Sequence, residues 1–223
     1  MTQRWHSYDS VAAMQTDVAA RIAAVANVCI AETQQFHIVL AGGSTPQNIY
    51  ALLRHCKTSW QHWHVYFGDE RCYLQHADDR NDTMAYVSLL THVAIPHSQI
   101  HCIPAELPQQ ICITQYAALL DNVKTFDLVL LGLGEDGHTA SLFPGHYLGD
   151  DADAPAVLAV ENAPKEPAHR ITLSARRLSE SERVWFLVNS EGKQTILQRW
   201  RDGETLPASA INPANGVDIF TAV

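Results

Sequence analysis

Apolar side chains recur every three to four residues near the start of the chain. Val11, Met14, Val18, Ile22 and Val25 follow this spacing within an alanine-rich stretch. Residues three and four apart lie on the same face of an α-helix. The pattern therefore predicts an amphipathic helix over residues 10–33.

Short apolar runs without alternation come after this helix. They predict strands at Phe36–Leu40, Trp63–Phe67, 126–131, 156–160, 171–173, 184–188 and Val217–Ala222. Helical patterns are predicted from 44 or 45 and over about 82–90, 111–122 and 193–200. Helices that alternate with uniformly apolar strands are typical of a mainly parallel sheet covered on both faces. We expect residues 1–223 to form a single Rossmann-like, doubly wound α/β domain, with strands of one type on both sides of a surface loop at 144–168.

Composition and charge restrict the classes of protein to which the chain can belong. The 223 residues include 47% hydrophobic side chains, enough for a sizeable core, and carry a formal net charge of −9. That charge argues against a nucleic-acid-binding protein. The five cysteines form no CxxC pair, and neither a signal-peptide pattern nor a membrane-spanning apolar run is present in the sequence. We therefore expect a cytoplasmic protein without a membrane segment.

Three predicted strands end in unusual residues, and in parallel sheets ligands bind beyond the carboxyl ends of the strands. The first of these segments contains Gly42, Gly43, Ser44 and Thr45. Glycines let an anion approach the backbone, and the helix that follows offers free N–H groups. Either Thr45 is the N-cap with Pro46 in the first turn, or Ser44 caps and Gln47 completes a capping box. The segment is a candidate phosphate site, and a plain strand-to-helix turn is the alternative.

Charged residues follow the second strand, at Asp69, Glu70 and Arg71. They could bind a polyol and a phosphate, or pair with one another in a structural ion cluster. Arg170 at the start of a strand and Lys193 at the start of a helix could converge with Arg71 on a phosphate. Each of these two cations alone is typical of a surface charge.

A glycine-rich loop after the third strand places Asp136 and His138 two residues apart. Histidine suits proton transfer near neutral pH, and a nearby carboxylate can orient the ring and stabilise the imidazolium. His138 is therefore the acid–base candidate, and a turn with a solvated histidine is the alternative.

The chain has twelve histidines, which raises the question of a metal site. His62 and His64 alternate on one predicted strand, and His97 and His101 are four residues apart. Neither pair has a clear third ligand. We therefore expect no metal site.

Taken together, the motifs carry a family resemblance. They are Gly42-Gly43-Ser44-Thr45-Pro46, Asp69-Glu70-Arg71, the stretch GLGEDGHTASLFPG at 132–145, Arg170-Ile171-Thr172-Leu173 and Gly192-Lys193. In these motifs and their order the chain resembles 6-phosphogluconolactonases, within the larger group that includes glucosamine-6-phosphate deaminases. Deaminases continue after Asp-Gly-His with Ile-Ala-Phe-Asn-Glu-Pro, where the Glu helps to open the sugar ring. This chain continues with Thr139-Ala140-Ser141-Leu142-Phe143-Pro144, the lactonase version without that Glu.

The chain departs from the family pattern in one segment. The family's Arg-x-Val-Pro is replaced by Arg71-Cys72-Tyr73-Leu74, and its Ser-Asn by Arg80-Asn81. The roles of residues 72–81 therefore stay open at this point.

The resemblance implies hydrolysis of 6-phospho-D-glucono-1,5-lactone to 6-phosphogluconate, the second step of the oxidative pentose phosphate pathway, by a monomer or small homo-oligomer without a cofactor. In that reaction His138 would be the base, Asp136 its partner, and Arg71 would face either the oxyanion or the phosphate. The implied substrate-binding residues are Gly42, Gly43, Ser44, Thr45, Asp69, Arg170 and Lys193. A glucosamine-6-phosphate deaminase-type enzyme and a non-catalytic sugar-phosphate-binding protein are the alternatives.

Overall fold

A parallel seven-stranded sheet forms the centre of the computed structural model, which describes residues 2–222. The strands are β1 (Gln3–Tyr8), β2 (Phe36–Leu40), β3 (Trp63–Phe67), β4 (Asp69–Arg71), β5 (Ile100–His101), β6 (Leu128–Leu131), β7 (Val157–Val160), β8 (Arg170–Leu173), β9 (Val184–Asn189) and β10 (Val217–Ala222). The helices are α1 (Val11–Thr33), α2 (Ser44–Leu53), α3 (Asn81–Ala85), α4 (Gln109–Leu120), α5 (Ala175–Ser179) and α6 (Gln194–Arg201), and α3 continues as a π-helical turn over Tyr86–Leu90.

The large sheet has the strand order β1-β10-β9-β6-β2-β3-β5, and all of its neighbouring pairs are parallel. β6 is buried at every position, as expected for a central strand covered on both faces. The predicted α/β fold with a mainly parallel sheet is therefore confirmed.

The first helix shows how local sequence sets these elements. Ser10 is the N-cap of α1, and its hydroxyl accepts a hydrogen bond from the Ala13 N–H at 3.2 Å. Met14, Val18 and Ile22 are buried in the core. The helix predicted over 10–33 is therefore confirmed as an amphipathic element.

The 144–168 segment differs from the expected surface loop with strands of one type on both sides. It contains β7, and β7 and β8 belong with β4 to a second, antiparallel sheet of order β4-β8-β7, whereas β9 and β10 further along the chain join β2 and β6 in the large sheet. The cause is that the chain passes from the large sheet to the small one at Gly68, the one residue between β3 and β4. β4 then pairs with β8, and Asp69 lies opposite Thr172.

Four short or polar strands and helices, β1, β4, β5 and α5, were not predicted from the sequence. β1 pairs with β10 from Gln3↔Val217 to Tyr8↔Ala222, although Arg4 and His6 give it a polar pattern. As an edge strand it has one paired side only, so it needs no continuous apolar run. β5 and α5 are too short to leave a periodic signal.

The chain order places a crevice between β2 and β6. From β2 the chain proceeds through β3 to β5 on one side, and it then returns to β6 and continues through β9 to β10 on the other. The loops after β2 and β6 therefore leave their strands in different directions, which is where open α/β sheets bind ligands. Within residues 2–222, no helix is both long enough and apolar enough to cross a membrane.

Candidate active site

A cleft of about 360 Å³ opens at this crevice. It is lined by residues from all three strand-end motifs and by both additional cations, namely Gly42, Gly43, Ser44, Thr45, Asp69, Arg71, His138, Arg170 and Lys193. Asp136 is not in the lining and lies behind the His138 ring. The structure thus brings together residues that the sequence separates by as many as 151 positions, from Gly42 to Lys193.

The loop after β2 differs from both predicted capping arrangements. α2 begins at Ser44, and Gly43 is its N-cap with φ 100° and no side-chain capping bond. Because Ser44 and Thr45 already lie within the helix, neither is its N-cap, and the φ of the N-cap residue is one that favours glycine. Within residues 2–222 the hydroxyls of Ser44 and Thr45 make no hydrogen bond, and they stay free beside the N–H groups of the first turn. Such a helix terminus is suited to an anionic group.

Position 42 has room only for a glycine, because the Asn81 side chain lies close to its backbone. A Cβ at this position would lie 2.0 Å from Oδ1 of Asn81. The Asn81 amide donates to the backbone oxygen and to Oδ1 of Asp69, at 2.9 and 3.0 Å. Oδ2 of Asp69 accepts a hydrogen bond from the Ser141 hydroxyl at 2.6 Å. Asp69 is therefore held in a fixed orientation at the cleft wall.

The Asp69–Arg71 motif combines the two interpretations that the sequence left open. Asp69 and Arg71 line the cleft, whereas Glu70 is completely buried in an ion cluster behind it. The Arg71 guanidinium donates through Nη1 to the backbone oxygen of Asp79 at 2.5 Å. Asp69 and Arg71 are thus part of the cleft wall, and Glu70 belongs to the structural ion cluster.

His138 and Asp136 form a hydrogen-bonded pair at the cleft. Nδ1 of His138 lies 2.5 Å from Oδ1 of Asp136, and the His138 backbone N–H bonds the same oxygen at 3.2 Å. Burial alone raises the pKa of Asp136, but the hydrogen bonds from His138 outweigh it and lower that pKa. An ionised Asp136 fixes the proton on Nδ1, which leaves the Nε2 lone pair available to the cleft.

Two neighbours fix the ring of His138. Gly134 leaves room for it, because a Cβ there would lie 2.0 Å from Nδ1 of His138. Phe143 also packs against the ring, with centroids 4.7 Å apart. The guanidinium of Arg170 in the small sheet lies 5.6 Å from the centroid of Phe143. The imidazole is therefore restricted by its own loop, and the small sheet contacts that loop at Phe143.

One of the cationic side chains in the cleft, Arg170, is hydrogen-bonded to a neighbouring loop. Nε and Nη2 of Arg170 donate to backbone oxygens of Pro167, Lys165 and Glu166 at 3.0–3.2 Å. Arg170 therefore holds the 165–167 loop, and that loop brings Lys165 into the cleft lining. Burial lowers the pKa of Lys193, Glu135 opposes this change and Lys165 adds to it.

Sequence reasoning missed Lys165 and assigned no role to Asn81 or Ser141. Lys165 lies in a proline-containing loop without any local signal for a ligand. Asn81 stood in the segment that departs from the family pattern, where its Asn was nevertheless retained. Ser141 lies within the His138 motif, and its partner Asp69 is 72 residues away, so only the fold reveals the pair.

A separate group of histidines lies on the large sheet. His37 and His64 stack with ring centroids 4.7 Å apart, and His64 and His101 with centroids 5.8 Å apart. Burial is the main cause that lowers the pKa of His37 and of His101 to about 4. The described part of the chain contains no group of three or more His, Cys, Asp or Glu side chains arranged to hold a metal ion.

The fold and the site define an α/β protein whose switch-point cleft combines an open helix N-terminus and several cations with a carboxylate-oriented imidazole. Residues 9–220 match the model of the family described as glucosamine-6-phosphate isomerases/6-phosphogluconolactonase. This match covers nearly the whole chain. The chain belongs to this family.

Individual relatives agree with the family match. The 6-phosphogluconolactonase of Mycobacterium leprae is 32% identical over 220 residues, covering 91% of this chain and 87% of the relative. The human GDH/6PGL endoplasmic bifunctional protein is 36% identical over 198 residues, and a rabbit counterpart is 33% identical over 215. The chain spans only 25% and 27% of the lengths of these two bifunctional relatives. Among solved structures, a 6-phosphogluconolactonase from Thermotoga maritima is 25% identical, with a TM-score of 0.91 over 100% of both chains.

Proposed function

We propose that this protein hydrolyses 6-phospho-D-glucono-1,5-lactone to 6-phospho-D-gluconate, the second step of the oxidative pentose phosphate pathway. The observation that carries the proposal is the His138–Asp136 pair, whose free Nε2 faces a cleft lined by cations and an open helix terminus. The names of the Mycobacterium and Thermotoga relatives support the same reaction.

In this proposal Nε2 of His138 takes a proton from a water molecule as its oxygen attacks C1 of the lactone. Asp136 stabilises the imidazolium that forms. The tetrahedral oxyanion then collapses, the bond between C1 and the ring oxygen breaks, and His138 returns the proton to that oxygen. The products are a carboxylic acid, which ionises, and a free hydroxyl, so no metal or nucleotide is needed to balance the reaction.

The phosphate of the substrate is assigned to the open end of α2. Its ligands would be the N–H groups and hydroxyls of Ser44 and Thr45, assisted by Lys193 and by the newly found Lys165. The two carboxylate oxygens of Asp69 are oriented by hydrogen bonds from Asn81 and Ser141, and the carboxylate can accept a further hydrogen bond from a sugar hydroxyl. Arg71 stays a candidate for either the phosphate or the oxyanion.

Phe143 argues against a deaminase or isomerase reaction. In the deaminase pattern the ring-opening Glu occupies the position of Phe143, five residues after the histidine. Here that position holds an apolar ring that packs at a tilt against His138 and cannot transfer a proton. Ammonia release from glucosamine 6-phosphate would favour the deaminase, and tight binding of a sugar phosphate without turnover would favour a non-catalytic binding protein.

The proposal is tested by following acid release from freshly generated 6-phosphogluconolactone after subtraction of its spontaneous hydrolysis. We expect His138→Ala to lose at least about 10²-fold in kcat, the usual contribution of a general base. His97→Ala, an exposed histidine outside the cleft, serves as the matched control and should keep wild-type turnover. Near wild-type kcat in a folded His138→Ala variant would contradict the proposal.

We also propose that the protein acts as one domain in a reducing compartment such as the cytoplasm. Side chains of both sheets share one hydrophobic core, which includes Phe36 and Val129 from the large sheet and Ile171 from the small one. The five cysteines are all free thiols, as is usual where glutathione keeps them reduced. As to assembly, a monomer or small homo-oligomer remains the proposal.

A further inference from the structure

Four charged side chains form a group behind the cleft wall, in and around the segment that departs from the family pattern. They are Glu70, Arg80, Asp82 and Glu106. Glu70 is 0% exposed and Arg80 is 1% exposed. Three carboxylates around one guanidinium at this depth require close pairing, because an unpaired buried charge is strongly destabilising. None of these residues lines the cleft.

Glu70 joins two stretches of backbone. Its Oε1 accepts hydrogen bonds from the N–H groups of Arg71 and Asn81, each at 2.8 Å. Its Oε2 accepts from the N–H of Asp82 at 2.9 Å. A single carboxylate therefore fixes the end of β4 relative to the beginning of α3.

Arg80 fixes the same region from the other side. Its Nε and Nη2 donate to the two oxygens of Asp82 at 2.9 and 2.6 Å, and its Nη1 donates to Oε2 of Glu106 at 3.0 Å. The guanidinium also donates to the backbone oxygens of Tyr73 and Ile103, at 3.0 Å each. The planar five-donor fork of arginine is used fully here, and lysine cannot reproduce it.

Asn81 transmits this arrangement to the cleft. It lies between the two members of the Arg80–Asp82 pair, and its own side chain extends the other way, to Asp69 and against Gly42. A shift of the backbone at 80–82 therefore moves Asn81 and, with it, the orientation of Asp69. His138 and Asp136 lie on the loop after β6, which contacts this wall through the hydrogen bond from Ser141 to Asp69 and, in the part of the chain that the structure describes, makes no hydrogen bond to residues 80–82.

We infer that Arg80, acting through Glu70 and Asp82, is a positioning residue for the substrate-binding wall formed by Gly42, Asp69 and Asn81. The inference rests on the proposed function, since it concerns how the same cleft holds its phosphorylated substrate. It gives the departing segment a role, because Arg80 replaces the serine of the family pattern with a buried cross-link.

The test compares Arg80→Gln with Arg177→Gln in lactonase kinetics. Arg177 is also a buried arginine, held by the Val123 backbone oxygen and by Glu180 away from the cleft, so it controls for the loss of a buried guanidinium. We expect Arg80→Gln to raise KM about tenfold or more with kcat reduced less than about threefold, the signature of lost ground-state binding. The pH profile of kcat should not move, because the His138–Asp136 pair is untouched. Arg177→Gln should leave KM within about twofold of wild type.

Kinetics are measured at a temperature where circular dichroism shows each variant to be folded. An unchanged KM in folded Arg80→Gln would overturn the inference, and so would an equal rise of KM in Arg177→Gln. If Arg80→Gln does not fold, Arg80→Lys decides instead, since it keeps the charge and loses the fork. We expect Arg80→Lys to raise KM at least about threefold, and a wild-type KM would overturn the inference.

Calorimetric titration with 6-phosphogluconate separates this inference from the proposed function. If the wild-type protein binds this compound and does not hydrolyse the lactone, the proposed reaction fails while the positioning role is still testable by affinity. Weaker binding by Arg80→Gln than by Arg177→Gln supports the role of Arg80. Equal affinity of the two variants overturns it.

Discussion

Gly134 offers a direct test of whether the orientation of the His138 ring matters. In Gly134→Ala the new methyl group would lie 2.0 Å from Nδ1 and 2.2 Å from Cε1 of His138, and 2.7 Å from Oδ1 of Asp136. Non-bonded atoms prefer a separation of roughly 3.5 Å, so the ring must retreat by roughly 1.5 Å. A misplacement of about 1 Å can cost about 10²-fold in rate, and we expect a loss of kcat of that order.

The backbone at Gly134 is not in the left-handed region, so the substitution adds no conformational strain of its own. Gly132→Ala is the matched control, because a Cβ there meets no atom within 4 Å. Initial rates on fresh lactone and a thermal melt are recorded for both variants. A kcat for Gly134→Ala within about threefold of Gly132→Ala would refute the idea that ring placement limits the rate.

Three further predictions concern the loop after β2, the cleft residue Lys193 and the histidines of the large sheet. In Gly42→Ala the methyl would lie 2.0 Å from Oδ1 of Asn81, so we expect KM to rise about tenfold, and an unchanged KM would contradict this. Lys193→Met keeps the length of the side chain and removes its charge, and it should weaken calorimetric binding of 6-phosphogluconate about tenfold, which equal affinity would disprove. For His37 and His101, burial lowers the folded-state pKa to about 4, against an unfolded value of about 6.5. Their neutral rings therefore stabilise the fold fully above pH 6.5, and this contribution is lost as the pH falls from about 6.5 to about 4. Urea unfolding gives the free energy of unfolding across that pH range. It should change less with pH in the variant carrying both His37→Gln and His101→Gln than in the wild type, and the same pH dependence in both proteins would contradict the prediction.

The parts of the fold that were predictable are those that local burial decides. β2 and β3 occur as predicted, because a central parallel strand must be apolar on both faces. The small sheet was not predictable in the same way. Its pairing of Asp69 with Thr172 joins residues about a hundred positions apart, and nothing in either short segment states its partner.

In the site, too, the contacts within one loop were predictable and the contacts between distant segments were not. Asp136 and His138 are two residues apart, so their contact follows from the local loop. The N-cap of α2 was predicted wrongly, because the hydroxyl preference of Ser44 and Thr45 gave way to the φ that only Gly43 accepts readily. The orientation of Arg170 depends on a loop that folds back onto it, and this contact also brings in Lys165. Such tertiary contacts leave no periodic trace in the sequence.

The passage of the chain between the two sheets at Gly68 bears on the rate of ligand association. Its N–H donates to the backbone oxygen of Leu40 at 3.1 Å, and its own oxygen accepts from the N–H of Leu173 at 2.8 Å. The residue that joins the two sheets is thus bonded to both, directly beside the cleft residue Asp69. Movement of the cleft wall at Gly68 would break hydrogen bonds to both sheets, so we expect ligand capture without a slow rearrangement at this point. The observed association rate should rise linearly with ligand concentration, in the range set by diffusion and orientation.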